Sequence, residues 1–138
     1  MALKRLTFLA SFAVGIAEID NDHRRLIDLS NLIADAIEGG DFVSCDSHFA
    51  DFMAQCHAHF EREERHLFAS RYPEAAAHAV EHQELLRRAT ETREYCRQQV
   101  LHSEAGGCYA KLIEFLVADI LKADIRFKSF IEASGYRG

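Results

Sequence analysis

The stretch LIDLSNLIADAIEGG at residues 26–40 decides the fold of this chain. Its leucines and isoleucines recur three and four residues apart, which is the spacing of the buried face of an amphipathic helix. Gly39-Gly40 ends the pattern, and Asp20-Asn21-Asp22 lies upstream with side-chain oxygens suited to a helix N-terminus. The stretch therefore predicts a helix over about residues 20–38.

Three further stretches repeat this helical spacing, and the predicted helices span about residues 44–69, 73–101 and 108–133. Pro73 suits the first turn of the third helix, and Gly106-Gly107 separates it from the fourth. Residues 1–19 are expected to form a docked N-terminal arm. Long helices with short connections predict an all-α, antiparallel up-down-up-down four-helix bundle, built as a single domain over residues 1–138.

Composition limits the classes of function. The chain is 49% hydrophobic with a net charge of −6, which is typical of a globular protein and argues against nucleic acid and anionic membranes as partners. No stretch reaches the ~18 apolar residues that cross a membrane. We predict a monomer, and the cysteine pattern favours the cytoplasm. The cysteines form no C-x-x-C pair and are expected to be reduced thiols; they are Cys45, Cys56, Cys96 and Cys108.

The eight histidines direct attention to metal chemistry. His59 and Glu63 are four residues apart, as are His78 and His82, so each pair lies on one face of its helix. Two such pairs on neighbouring helices can converge, and iron, manganese and zinc all accept imidazole nitrogen and carboxylate oxygen. With His23 on the first helix and Asp124 on the fourth, every helix contributes a candidate ligand.

At these residues the sequence resembles the hemerythrin family, in its single-domain bacterial form. The matching segments are Val14-Gly15-Ile16 with Ile19-Asp20 and Asp22-His23; His59-Phe60-Glu61-Arg62-Glu63-Glu64, similar to H-F-x-x-E-E; Tyr72-Pro73 followed by His78 and His82; and Asp119-Ile120 with Asp124, where the family has H-I-x-x-x-D. The order and spacing of these segments make the resemblance specific.

The resemblance implies a non-haem centre of two iron ions, joined by an oxo or hydroxo bridge, that takes up O2 reversibly. Manganese or zinc is a possible replacement. His23 and His59 would hold the iron with an open position, His78 and His82 would hold the other iron, and Glu63 and Asp124 would bridge the two. The apolar residues that would line an O2 pocket, and so exclude water and protons, are Leu26, Phe60 and Ile120.

Asp119 stands where the family has a fifth histidine, and it is the seventh candidate metal ligand. It could ligate directly, act through water, or leave that position empty. Direct ligation would replace a neutral nitrogen by an anionic oxygen, which lowers the reduction potential of the metal. We then expect faster autoxidation than in a five-histidine relative.

Two classes of function compete. An O2-binding protein without enzymatic turnover, used for carriage, storage, delivery or sensing, is favoured; the alternative is a di-iron or di-manganese oxidase or peroxidase in the same fold. A metal-free bundle is the third possibility. Hydrolase chemistry has no nucleophile, base and oxyanion group to support it. The histidines that match no ligand position are expected on the surface or in a groove, with a place beside the metal ligands as the alternative for His66; they are His48, His57, His66 and His102. Glu64 and Arg65 are not claimed as site residues.

Overall fold

Four helical rods form the bundle in the computed structural model, which describes residues 3–101 and 105–138, and side chains outside 99–106. The first three are α1 (Ala17–Glu38), α2 (Phe42–Ala69) and α3 (Ala75–Leu101). The fourth rod comprises α4 (Ala105–Glu114), a π-helical segment (Phe115–Leu121), α5 (Lys122–Ile125) and α6 (Lys128–Ser134). Each rod packs against its neighbour in sequence, and the fourth also packs against α1, which closes the bundle. The prediction of an all-α four-helix bundle is confirmed.

The first two helices begin earlier than predicted. α1 starts at Ala17, so the Asp20-Asn21-Asp22 segment lies inside the helix and does not cap it. The Asp20 carboxylate instead accepts hydrogen bonds from the backbone N–H groups of Val14 and Gly15, at 2.8 and 3.3 Å. α2 starts at Phe42 because Asp41 accepts from the Ser44 N–H at 3.0 Å, which is an N-cap one turn upstream of the predicted start.

The N-terminal arm is docked along α1. The Asn31 side chain pairs with both backbone groups of Leu6, at 2.9 Å each. Arg5 binds the carboxylates of Asp35 and Glu38 at 2.6 and 2.8 Å. These contacts satisfy backbone groups that the extended arm could not pair internally.

Two apolar clusters fill the bundle and leave a polar layer between them. The larger cluster includes Leu26, Phe60 and Ile120, and the smaller includes Ile19 and Leu67. Along each helix the candidate metal ligands other than Asp119 fall in the sequence between residues of the two clusters. The packing of the apolar residues thus fixes the depth of the polar layer in the bundle.

The cysteines differ from the prediction. Cys96 on α3 and Cys108 on α4 form a disulfide, so the expectation of four reduced cysteines is wrong for this pair. The reversal of the chain between α3 and α4 brings the two residues together across a sequence separation of 12. Cys45 and Cys56 are free, buried thiols, as predicted. Within the described ranges, no helix is long and apolar enough to cross a membrane.

Candidate metal centre

All four rods supply polar side chains to the buried layer. α1 contributes His23, α2 contributes His59 and Glu63, α3 contributes His78 and His82, and α5 contributes Asp124. The most exposed of the six is His78, at 6%. Helical spacing explains the pairs on α2 and α3, because residues four apart face the same side of a helix.

The donor atoms fall into two groups that share their carboxylates. One group consists of His23, His59, Glu63 and Asp124; the other consists of Glu63, His78, His82 and Asp124. Within each group the donor atoms lie within 4.8 Å of one another. Each group therefore offers two imidazole nitrogens and two carboxylate oxygens, a donor set that suits iron, manganese or zinc.

Each shared carboxylate turns one oxygen toward each histidine pair. Oδ2 of Asp124 lies 2.8 Å from His23 Nε2 and 3.0 Å from His59 Nε2, whereas its Oδ1 lies 3.5 Å from His78 Nε2. Oε1 of Glu63 lies 2.5 Å from His78 Nε2 and 3.0 Å from His82 Nε2, whereas its Oε2 lies 3.1 Å from His59 Nε2. This is the arrangement that bridging ligands between two metal ions require.

Hydrogen bonds alone do not satisfy every polar atom of the buried layer, and metal ions would complete its interactions. Glu63 Oε2 and His23 Nδ1 are buried without a hydrogen-bond partner among the described residues. An unpaired buried oxygen is costly, and a cation between Glu63 Oε2 and His59 Nε2 would remove that cost. The residues present therefore fit two metal ions.

Charges of opposite sign shift the pKa values of the layer strongly. Burial alone lowers the pKa of His78, but hydrogen bonds with Asp124 and Glu63 outweigh it and raise the pKa to about 10. Burial likewise opposes the raised pKa of His59, which the charge of Glu63 and hydrogen bonds with Asp124 and Asp22 bring about. The pKa of Asp124 is lowered despite burial, by hydrogen bonding with Glu63 and the histidines. Protonated histidines thus balance the carboxylates where metal ions would otherwise do so.

Two carboxylates outside the layer orient histidines within it, and sequence reasoning missed both. His59 Nδ1 donates to Asp22 Oδ2 at 3.1 Å, and His82 Nδ1 donates to Glu64 Oε2 at 3.0 Å. A donating Nδ1–H leaves Nε2 free to bind a metal. Asp22 is itself held by Arg62 at 2.6 Å and by Gln55 at 3.0 Å. The available signal was their position, each directly beside a candidate ligand in the sequence.

The three predicted pocket residues border the layer on the side of the larger cluster. Leu26 and Ile120 are 0% exposed and Phe60 is 2% exposed. The Phe60 ring stacks on the His82 ring, with centroids 4.2 Å apart, and its centroid lies 5.6 Å from that of His59. The Phe60 ring is thus an apolar neighbour of His59 and His82, while Leu26 and Ile120 are buried in the same apolar cluster as Phe60.

Asp119 does not join the other six candidate ligands. Its carboxylate lies 3.2 Å from Arg88 Nη1, with 29% of the side chain exposed. It lies on the π-helical segment and lines a surface groove between α3 and the fourth rod. Neither group of converging donor atoms in the described residues contains it.

The remaining histidines lie outside the layer, where the structure describes them. His57 is exposed, and His48 is partly buried. His66 is buried, contrary to the prediction of a surface or groove position, because it bonds Tyr136 at 2.8 Å and Glu18 at 3.0 Å. His102 falls outside the described residues.

Fold and site together define a class: a metal-binding four-helix bundle whose ligands come from all four rods. The chain belongs to the hemerythrin family, since the Hemerythrin HHE cation binding domain matches residues 14–128. Over 79 residues the chain is 30% identical to a bacteriohemerythrin of Pseudomonas paraeruginosa. These 79 residues make up 57% of this chain and 52% of that protein. The matched segment therefore spans about half the length of this relative. The resemblance seen in the sequence is confirmed.

Proposed function

We propose that this domain holds two iron ions in the buried layer and binds O2 reversibly. The observation that carries the proposal is the pair of shared carboxylates. Glu63 and Asp124 each direct one oxygen toward His23 or His59 and the other toward His78 or His82. The name of the matched bacteriohemerythrin supports the same reading.

Each residue would then have a defined role. His23 and His59 would hold one iron, His78 and His82 would hold the other, and Glu63 and Asp124 would be shared between them. A centre of this kind supplies the electrons that stabilise bound O2. All six donors come from one chain, which supports a monomeric working unit.

The apolar cluster beside His59 and His82 supports O2 as the ligand. O2 is small and uncharged, so it can enter a space from which water and protons are excluded. Phe60 lies beside His59 and His82, and Leu26 and Ile120 belong to the same cluster. Exclusion of protons slows the irreversible oxidation that would end reversible binding.

The position of Asp119 argues against direct binding of this carboxylate to a metal ion. Its pairing with Arg88 leaves the His78/His82 iron with four protein donors, the same number as its neighbour. Both irons would then have positions free for external ligands. This feature supports the second candidate function, a di-iron or di-manganese oxidase or peroxidase.

The deciding experiment follows iron content and the optical spectrum through cycles of O2 and vacuum. We expect both irons to be present, and a charge-transfer band that rises with O2 and disappears under vacuum over several cycles. Glu61→Gln should give the same iron content and the same optical band as the wild type, because Glu61 is exposed on α2 although it is near the ligands in the sequence. Consumption of O2 without a reversible band would support the enzyme instead. A protein that takes up neither iron nor manganese would overturn both candidate functions.

A further inference from the structure

A second reactive feature lies away from the metal centre, in a cavity of about 320 Å³ between α2 and α3. Apolar side chains and one carboxylate line it together with two arginines; the lining residues are Phe42, Cys45, Asp46, Phe49, Arg93, Cys96 and Arg97. Cys96 is one half of the Cys96–Cys108 disulfide. The cavity therefore places a disulfide beside two guanidinium groups.

The two sulfurs of this disulfide differ in access. Cys96 lines the cavity and is 4% exposed, whereas Cys108 is 0% exposed and is not among the lining residues. A nucleophile that enters the cavity meets Cys96 first. Which sulfur is attacked controls the outcome of thiol–disulfide exchange, so the structure selects Cys96 as the target.

The charges around the cavity favour an anion. Arg93 and Arg97 share the single carboxylate of Asp46, with each Nε 3.2 Å from Oδ1. Arg97 also approaches Glu94 at 3.8 Å, but Glu94 is not part of the lining. The lining of the cavity thus carries two guanidinium groups against one carboxylate, and this excess of positive charge attracts a negatively charged reagent.

The free thiol in the same cavity is a poor competitor. Burial raises the pKa of Cys45, and the neighbouring Asp46 and Asp41 raise it further. Only the thiolate attacks a disulfide, so a protonated Cys45 leaves the bond to reagents from outside. Disulfides in reducing compartments are usually transient, and the cytoplasm is the location predicted for this chain.

We propose that this cavity is the site at which a small anionic thiol reduces the Cys96–Cys108 disulfide. The sulfur of the thiolate bonds to Cys96 Sγ, the Cys96–Cys108 bond breaks, and its electron pair leaves on Cys108 Sγ, which takes a proton from water. A second thiolate attacks the sulfur of the first at Cys96 and releases the Cys96 thiolate. Two external thiols are oxidised to one disulfide, and one protein disulfide is reduced to two thiols.

The bond opened in this way joins two rods that carry metal ligands. α3 bears His78 and His82, and the fourth rod bears Asp124. Beyond the disulfide, surface cavities of about 500 and 410 Å³ lie between α3 and the fourth rod. The disulfide is therefore a covalent tie between these two rods, in addition to the packing of α3 against α4.

The test compares three small thiols that differ in charge: 2-mercaptoethanesulfonate, 2-mercaptoethanol and cysteamine. Disulfide opening in the full-length protein is followed by thiol alkylation and mass spectrometry. Each rate is divided by the rate of the same thiol with a small neutral disulfide, which corrects for differences in thiol reactivity. We expect the sulfonate to exceed cysteamine by about tenfold at low ionic strength, and the difference to shrink in about 1 M salt.

Substitutions test whether the preference for an anionic thiol arises in this cavity. Arg93→Gln should lose most of the charge preference, whereas Arg87→Gln should keep it, because Arg87 pairs with Glu84 and Glu91 on the exposed face of the same helix. In Cys108→Ser, the oxidised form of the sulfonate thiol should label Cys96 before Cys45.

Equal normalised rates for all three thiols, or an Arg93→Gln protein that keeps the charge preference, would overturn the proposal. So would peptide mapping after mild oxidation that finds Cys96 and Cys108 unlinked. None of these outcomes depends on iron, so the proposal stands or fails separately from the proposed function.

Discussion

The two halves of the metal centre differ in how completely the chain builds them. In the first half, His23 and His59 are both 0% exposed, and Asp22, held by Arg62, fixes the orientation of His59. In the second half, formed by His78 and His82, His78 borders a surface cavity of about 160 Å³. Asp119, which stands at the family's fifth-histidine position, faces Arg88 instead.

The comparison of the two halves shows which ligands the packing of the bundle positions. The helix spacing and the two apolar clusters position the four histidines and the shared carboxylates. The additional donor of the second half depends on one residue in the π-helical segment, where the wider turn changes the direction of side chains relative to an α-helix. We therefore expect a single substitution there to alter one half and leave the other intact.

The largest effect should come from a residue that both halves share. Glu63→Gln removes the charge of a bridging ligand, so we expect more than ~100-fold weaker iron binding in both halves, because loss of an outer partner alone costs about 10–100-fold. Iron content after desalting measures this. Glu61→Gln is the control on the same helix, and full iron content in Glu63→Gln would contradict the shared role.

A substitution at Asp119 should change the second half alone. Asp119→His supplies the nitrogen donor that the family has there, so we expect iron to leave that half about tenfold more slowly in the presence of a chelator. A longer-lived O2-dependent band should accompany it. Asp119→Asn is the matched control and should change little. If Asp119→Asn instead loses one iron, Asp119 is a ligand after all.

The outer carboxylates allow each half to be weakened separately. Asp22→Asn should weaken iron binding in the first half by about 10–100-fold, since the His59 ring loses the acceptor that orients it. Glu64→Gln should weaken the second half by less, because the Glu64 side chain is 27% exposed against 5% for Asp22. Chelator-release kinetics with two resolved phases measure both. Equal effects of either variant on both phases would argue against this pairing.

The smallest expected effect is a pH dependence of the metal-free protein. Burial raises the pKa of Asp22, but hydrogen bonds from His59 and Arg62 outweigh it and lower the pKa to about 2. Because the folded-state pKa lies below the ordinary value of 3.8, the stabilisation is complete above pH 3.8 and is lost as the pH falls toward 2. The difference in free energy of unfolding between the wild type and Asp22→Asn should therefore shrink over this interval. Urea denaturation at a series of pH values measures it, and a difference that grows on acidification would contradict the assignment.

Much of the fold was predictable because helical spacing is a local signal. The apolar residues of the stretch at 26–40 and the pairs at 59/63 and 78/82 report their helix faces directly. Helix starts were less predictable, since Asp20 could cap a helix or bind the arm, and only the position of Val14 decides between these.

The remaining features depend on contacts between distant segments. The sequence of the segment Phe115–Leu121 does not predict a π-helical turn, so the pairing of Asp119 with Arg88 was not predictable either. The Cys96–Cys108 disulfide likewise depends on how α3 and α4 meet. The Asp22 contact with His59 crosses from α1 to α2, where residue spacing carries no information.

Mössbauer spectroscopy of the protein loaded with 57Fe decides whether the buried layer holds a coupled pair of irons, because it reports the number, environment and magnetic coupling of the irons together. We expect iron in both halves, magnetically coupled through the shared carboxylates, with Asp119→His changing the signal of only one of them. A single uncoupled iron environment in the wild type, or a change in both signals on Asp119→His, would contradict this expectation.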